Sequence, residues 1–174
     1  MLNKFIANKF LFSGSQRAFA SLNTSSLEAA LKDPTHLNWN QFFSSTNPKD
    51  VAESDPRTVG KLLRVLSHTD DSQQTQAISN AVDEYFRKRF RTLDQEVALE
   101  ILKDLGSQDS ARIPALDSKF WVWETLETAV SQSVMNLNEE DLWKVTKAFY
   151  GNAKGSENFQ RDFETRYAQL TATF

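Results

Sequence analysis

The sequence predicts an all-α protein of about six main helices, arranged as three stacked helical hairpins in a short α-solenoid or irregular bundle, with an amphipathic segment at the N-terminus. Three observations lead there. Five glycines and four prolines in 174 residues are too few for the closely spaced turns of a β-rich fold. Helix-start signals, by contrast, recur along the whole chain. Finally, three apolar triplets share one spacing of three residues and then four: Val59, Leu62, Leu66, then Ala98, Ile101, Leu105, then Leu142, Val145, Phe149. That spacing marks one face of a helix.

The chain opens with Lys4, Lys9 and Arg17 and has no acid before Glu28, although acids outnumber bases overall by 23 to 20. Leu2, Phe5, Ile6 and Phe10 fall to one side of a helix, with Asn3, Lys4, Asn8 and Lys9 largely on the other. Five serines follow between Ser13 and Ser26. A basic, Ser-rich, acid-free amphipathic start is the composition of a mitochondrial targeting segment, assigned here to residues 1–26. Asn8 and Lys9 interrupt the apolar run that a secretory signal would need. Arg17-Ala18-Phe19 before Ala20 resembles the pattern cut by a matrix peptidase. A surface helix held by a partner or by anionic lipid would share these features.

Residues 27–54 read as a short helix and an aromatic-rich connecting segment. Ser25-Ser26-Leu27-Glu28 resembles a capping box, and Asp33-Pro34 ends the helix it begins. The stretch "HLNWNQFFSSTNPKDVAES", residues 36–54, shows little periodic structure and carries Trp39, Phe42 and Phe43. Together with Trp121, Trp123 and Trp143, these are more large aromatics than a small core readily uses, and such residues favour the centres of interfaces. Trp39, Phe42 and Phe43 are therefore the expected partner-binding residues, with closure of the first hairpin as the alternative role.

Residues 55–174 form the helical-hairpin domain. Asp55-Pro56 is an N-cap with proline at the first helical position. Thr92 to Gln95, Asp117-Ser118, Asn138 ahead of Glu139-Glu140-Asp141, and Gly155-Ser156 supply further starts, while Gly106 and Gly151 are natural stops. Six helices are expected, over about 56–68, 72–91, 94–105, 118–135, 139–150 and 156–172. The triplets lie on the shorter helices at offsets of 39 and 44 residues. The longer helices carry their own ladders: Ile78, Val82, Phe86, Phe90; Phe120, Trp123, Leu126, Val130, Val134; and Phe159, Phe163, Tyr167, Leu170, Phe174. One such hairpin cannot cover its own apolar face, so stacking buries a shared core. The extra residues of the second unit belong to the loop "SQDSARIPAL", 107–116.

The last unit, about residues 118–165, resembles the helical repeats of organellar octotricopeptide, heptatricopeptide and FAST-kinase-like proteins. The resemblance rests on Phe120, Trp121, Leu137, Glu139, Leu142, Ala148, Phe149, Gly155 and Ser156, which are mostly core and cap positions. It implies an α-solenoid, often one that binds RNA in mitochondria or chloroplasts. The charge balance departs from that implication. Removing Lys4, Lys9 and Arg17 from the 20 bases leaves 17 against 23 acids, and affinity for phosphate backbones depends on surplus positive charge.

"EYFRKRFRT", residues 84–92, is the possible nucleic-acid patch, with Arg87, Lys88, Arg89 and Arg91 among aromatic side chains. Helical spacing offers another role, since Asp83 to Arg87 and Glu84 to Lys88 are acid-before-base pairs at i,i+4. No catalytic, cofactor-binding or metal-binding residues are expected. There is no cysteine, which removes disulfides, thiolate metal sites and cysteine nucleophiles. His36 and His68 have no helix-spaced histidine partner, Gly60-Lys61 lacks the upstream glycine of a phosphate loop, and Ser67, His68 and Asp70 sit on one stretch of chain without convergence. Glu139, Glu140 and Asp141 suit the N-terminus of a helix.

The expected function is that of a non-catalytic accessory or scaffold subunit of a mitochondrial inner-membrane energy-converting complex, a respiratory-chain complex or the ATP synthase, located in the matrix or on the matrix face. Its expected partners are the other subunits, with no transmembrane span, no cofactor and no enzymatic role. The rival is an RNA-binding helical-repeat protein of mitochondrial RNA processing or the mitochondrial ribosome. A small matrix enzyme is a third reading.

Overall fold

The computed structural model of the chain describes residues 21–32, 36–69 and 72–172, and among them all regular structure is helical. The stretch from Leu2 to Arg17, the Asp33-Pro34 stop, Asp70, Phe174 and the side chain of His36 lie outside the described residues. In chain order the helices are α1 (Thr24–Lys32), α2 (His36–Ser45), α3 (Pro48–Ala52), α4 (Pro56–Leu66), α5 (Gln73–Lys88), α6 (Gln95–Gly106), α7 (Trp121–Val130), α8 (Glu139–Tyr150) and α9 (Glu157–Thr171). Two short 3₁₀ turns, Pro114–Leu116 and Val134–Asn136, flank α7. None of the described helices is long and apolar enough to cross a membrane.

All six helices expected from the hairpin pattern form, and their starts follow the cap chemistry. Asp55, Asp94, Asn138 and Ser156 each accept a hydrogen bond from a backbone N–H in the first turn of the helix they precede. Such a bond satisfies one of the four donors that a helix start leaves unpaired. Two expected starts move. The carboxamide of Asn23, rather than Ser25, accepts from the Ser26 N–H at 3.1 Å, so α1 begins earlier than expected. Asp117 is used by Arg112, 2.7 Å away, and α7 begins only at Trp121 with no cap from its own flank. Asp83 of α5 supplies the missing acceptor, 3.0 Å from the Val122 N–H.

The segment 36–54 is a correction to the sequence reading, because it is helical in two pieces. Trp39, Phe42 and Phe43 lie at i, i+3 and i+4, which is itself a helical face. Asn47 caps α3, with Pro48 at its first position. Leu22 is buried and donates its N–H to Ser54 Oγ at 3.0 Å, which ties the chain ahead of α1 to the end of α3.

The helices pack in two layers. α1 packs on α4, α4 on α6 and α6 on α8. In the second layer α2 and α3 pack on α5, and α5 on α7, while α9 lies against α8 and the 134–136 turn. Among the described residues there is thus one hairpin more than the three expected, the added one being α1 with α2 and α3. All nine residues of the three spaced triplets are buried. Neighbouring hairpins are also tied by polar contacts at a constant offset. Lys119 to Asn80, Val122 to Asp83, Thr125 to the Phe86 carbonyl and Ile113 to Asn152 are each 39 residues apart.

α6 and α8 approach each other closely at Gly106. A Cβ on Gly106 would sit 1.9 Å from the Lys144 carbonyl oxygen, so this position requires glycine for proximity rather than as a helix stop. The residues that do adopt the left-handed conformation are Arg91, Ala153 and Gly155, in the connections after α5 and α8. Beside the same junction, buried Asn152 holds down the 107–116 loop. Its amide donates to the Ala111 and Ala148 carbonyls at 2.7 and 2.8 Å, and its oxygen accepts from the Ile113 N–H at 2.8 Å.

Candidate interaction surface

The three aromatics expected to meet a partner are inside the chain. Trp39, Phe42 and Phe43 are at most 7% exposed and belong to the one continuous core. The indole N–H of Trp39 donates to the Ala30 carbonyl at 3.2 Å, and its ring stacks on His68 with centroids 5.4 Å apart. Phe42 and Phe43 meet edge to face at 5.3 Å. The three side chains are packed inside the fold, where none of them stands out from the surface as an exposed anchor would.

The basic strip at the end of α5 is largely occupied within the chain. Arg87 makes a bidentate pair with Glu84 at 2.5 and 2.6 Å, and Lys88 approaches the same carboxylate at 3.8 Å. The expected Asp83–Arg87 pair does not form, because Asp83 caps α7. Arg89 lies over the Tyr85 ring at 3.5 Å and Arg91 over Phe90 at 5.2 Å. The aromatics that would stack on bases are committed too. Tyr85 and Phe86 are buried, and Phe90 packs edge to face on Trp121 at 5.6 Å. Tyr85 donates its hydroxyl to the Ser54 carbonyl at 3.0 Å, and burial pushes its pKa up to about 12.

Three of the four exposed large aromatics among the described residues lie instead at the last hairpin, the fourth being Phe120. Trp143, Tyr150 and Tyr167 are 59%, 46% and 55% exposed. With Phe163 as its buried floor, they line an open groove of ≈ 610 Å³ between α8 and α9. Tyr150 meets Phe163 edge to face at 6.3 Å. Partial burial, then the nearby carboxylate of Glu164, raise the Tyr150 pKa. The charged residues of the lining are Glu139, Glu140 and Glu164, all acidic. Glu140 holds Lys144 one turn along α8 at 2.5 Å. Lys147 donates to the Gln108 carbonyl and lies 5.0 Å from the Trp143 ring.

No protein-family model, curated protein or solved structure matches this chain.

The groove follows from a pattern the triplets conceal. Trp143, Thr146 and Tyr150 repeat the three-then-four spacing of Leu142, Val145 and Phe149, shifted by one residue. α8 therefore carries two adjacent stripes, one buried in the core and one open. Tyr167, expected within the core ladder of α9, stands on the open side because α9 packs against α8 mainly through Phe159 and Phe163. Phe120, expected in the ladder of α7, precedes that helix and is exposed.

Proposed function

We propose that the chain is a non-catalytic helical subunit that docks another protein through the α8–α9 groove and serves as a scaffold in a mitochondrial assembly on the matrix side of the inner membrane. A respiratory-chain complex or the ATP synthase is the class of assembly meant. One observation carries the docking reading: a body whose other hairpins bury nearly all their large apolar side chains leaves Trp143, Tyr150 and Tyr167 exposed together around one groove. Clustered exposed aromatics of this kind mark interaction sites, and Trp and Tyr are the usual anchors.

The mitochondrial part rests on the basic, acid-free start of the sequence. A cut before Ala20 would leave every described residue on the mature chain, Leu22 included. Protein is preferred to RNA as the partner because Arg87 and Lys88 share Glu84, and because the exposed aromatic groove is lined by acids that repel phosphate.

The test is native separation of mitochondrial extracts from cells expressing a tagged full-length chain, with identification of comigrating proteins. The reading expects the chain in a defined assembly, and a reporter carrying residues 1–20 in the organelle. A chain that migrates alone, or a reporter whose import survives Lys4, Lys9 and Arg17→Glu, contradicts it.

A further inference from the structure

The geometry points to a specific occupant for the groove: a basic amphipathic helix of another protein, laid along α8, with large apolar side chains on one face and Lys or Arg at its flanks. This inference rests on the docking reading above and names the chemistry of the partner.

The helical form comes from the stack. In the first layer α4 is covered on both sides, by α1 and α6, and α6 is covered by α4 and α8. α8 is covered by α6 within that layer and touched by α9 from the other, and its remaining side is the Trp143, Thr146 and Tyr150 stripe. The groove between α8 and α9 occupies the position where a further first-layer helix would lie. α8 has 12 residues, so a matching helix is about three turns, or ~18 Å, long. Amphipathic helices settle into such grooves by placing anchors spaced as one helical face between the side chains of the floor.

The basic character comes from charge. Each junction of the first layer is bridged by ion pairs between helices: Lys61 to Glu28, Arg57 to Glu100, Arg64 to Asp104 and Lys103 to Asp141. At the open side, acids are present without their bases. Neither Glu139 nor Glu164 forms an ion pair among the described residues, and Glu140 is held only from within α8. Glu139 and Glu140 lie near the start of α8 and Glu164 lies across the groove on α9, so cations on both flanks of an incoming helix meet carboxylates. An acidic helix would face the unpaired carboxylates of Glu139 and Glu164, whereas Glu140 is already offset by Lys144.

The experiment uses the full chain and two labelled synthetic helical peptides. Both carry leucines along one face, and they differ only in their flanks, which are all lysine or all glutamate. Fluorescence anisotropy should show the lysine peptide binding at least about tenfold more tightly, with the difference shrinking as salt is raised. Trp143→Ala should weaken the lysine peptide by about 30-fold, as loss of a central anchor does. The exposed double change Glu139→Lys, Glu164→Lys should invert the preference between the peptides. Equal binding of both peptides overturns the basic assignment and leaves the docking reading standing. Binding unmoved by Trp143→Ala places the contact elsewhere and overturns the inference. A dimer of the full chain that Trp143→Ala dissociates gives the groove to a second copy and overturns it as well. Binding of neither peptide overturns the helical occupant, and the docking reading is then judged separately by comigration of the native chain.

Discussion

The Asp83 carboxylate accepts a hydrogen bond from the Val122 N–H at 3.0 Å, so α7 is capped by a residue of the preceding hairpin. The bond joins helix initiation to hairpin stacking. Asp83→Ala should cost about 1 kcal/mol, the usual value of an N-cap. For a domain of this size that lowers Tm by about 2–4 °C. Asp83→Asn keeps an acceptor and should lose less. Equal loss in the two variants, measured by thermal unfolding, would argue against the cap.

Gly106→Ala should destabilise more than Gly60→Ala. The added Cβ at Gly106 meets the Lys144 backbone carbonyl, which can retreat only if α6 and α8 separate. Overpacking of this kind costs about 1–3 kcal/mol. At Gly60 the nearest atom, at 2.6 Å, belongs to the Ile101 side chain, and replacing a mid-helix glycine returns about 1 kcal/mol of helix propensity. Denaturant midpoints of the two variants give the comparison directly.

Phe42→Ala should behave as a core deletion. The ring is buried in the core, and truncating a buried phenylalanine costs about 3–5 kcal/mol. A Tm that stays within a few degrees of the parent would restore Phe42 as a surface anchor.

Much of this fold is legible in the sequence because its helices are bounded by short-range chemistry. Asp55-Pro56, Asp94, Asn138 and Ser156 act on their own first turns, and spaced triplets such as Leu142, Val145 and Phe149 reveal which face is inside. What was not legible depends on partners distant in sequence. The start of α7 is set by Asp83 in another helix, and the demand for Gly106 is set by the backbone of α8. Segment 36–54 was misread because its aromatics suggested an interface while their spacing already described a helix. At the candidate site, Trp143 was suspected for its type alone. That it joins Tyr150 and Tyr167 in one groove depends on how α9 packs, which no local pattern fixes.

Tyr85 should give stability a specific alkaline limit. Its folded pKa is pushed up to about 12 by burial, against about 10 in an unfolded chain. The folded state therefore keeps a proton that the unfolded state releases. The contribution of Tyr85 is intact below about pH 10 and declines as pH rises from there to about 12. Tyr85→Phe should flatten that part of the stability profile and remove the last tyrosinate step from an absorbance titration. Ionisation of Tyr85 near pH 10 without loss of structure would contradict its burial against Ser54.

By the docking proposal, the α8–α9 groove, and not the buried aromatics of α2, should hold the chain in an assembly. The measurement is native separation of mitochondrial extracts containing the full chain with Trp143→Ala and Tyr167→Ala together, set beside thermal unfolding of the same purified variant. Both side chains are more than half exposed, so their removal should change folding stability by no more than about 0.5 kcal/mol each. As interface anchors they should cost about 2 kcal/mol or more each in binding. The variant should melt near the parent temperature and migrate free of the assembly. A variant that melts normally and still comigrates with the assembly would contradict it.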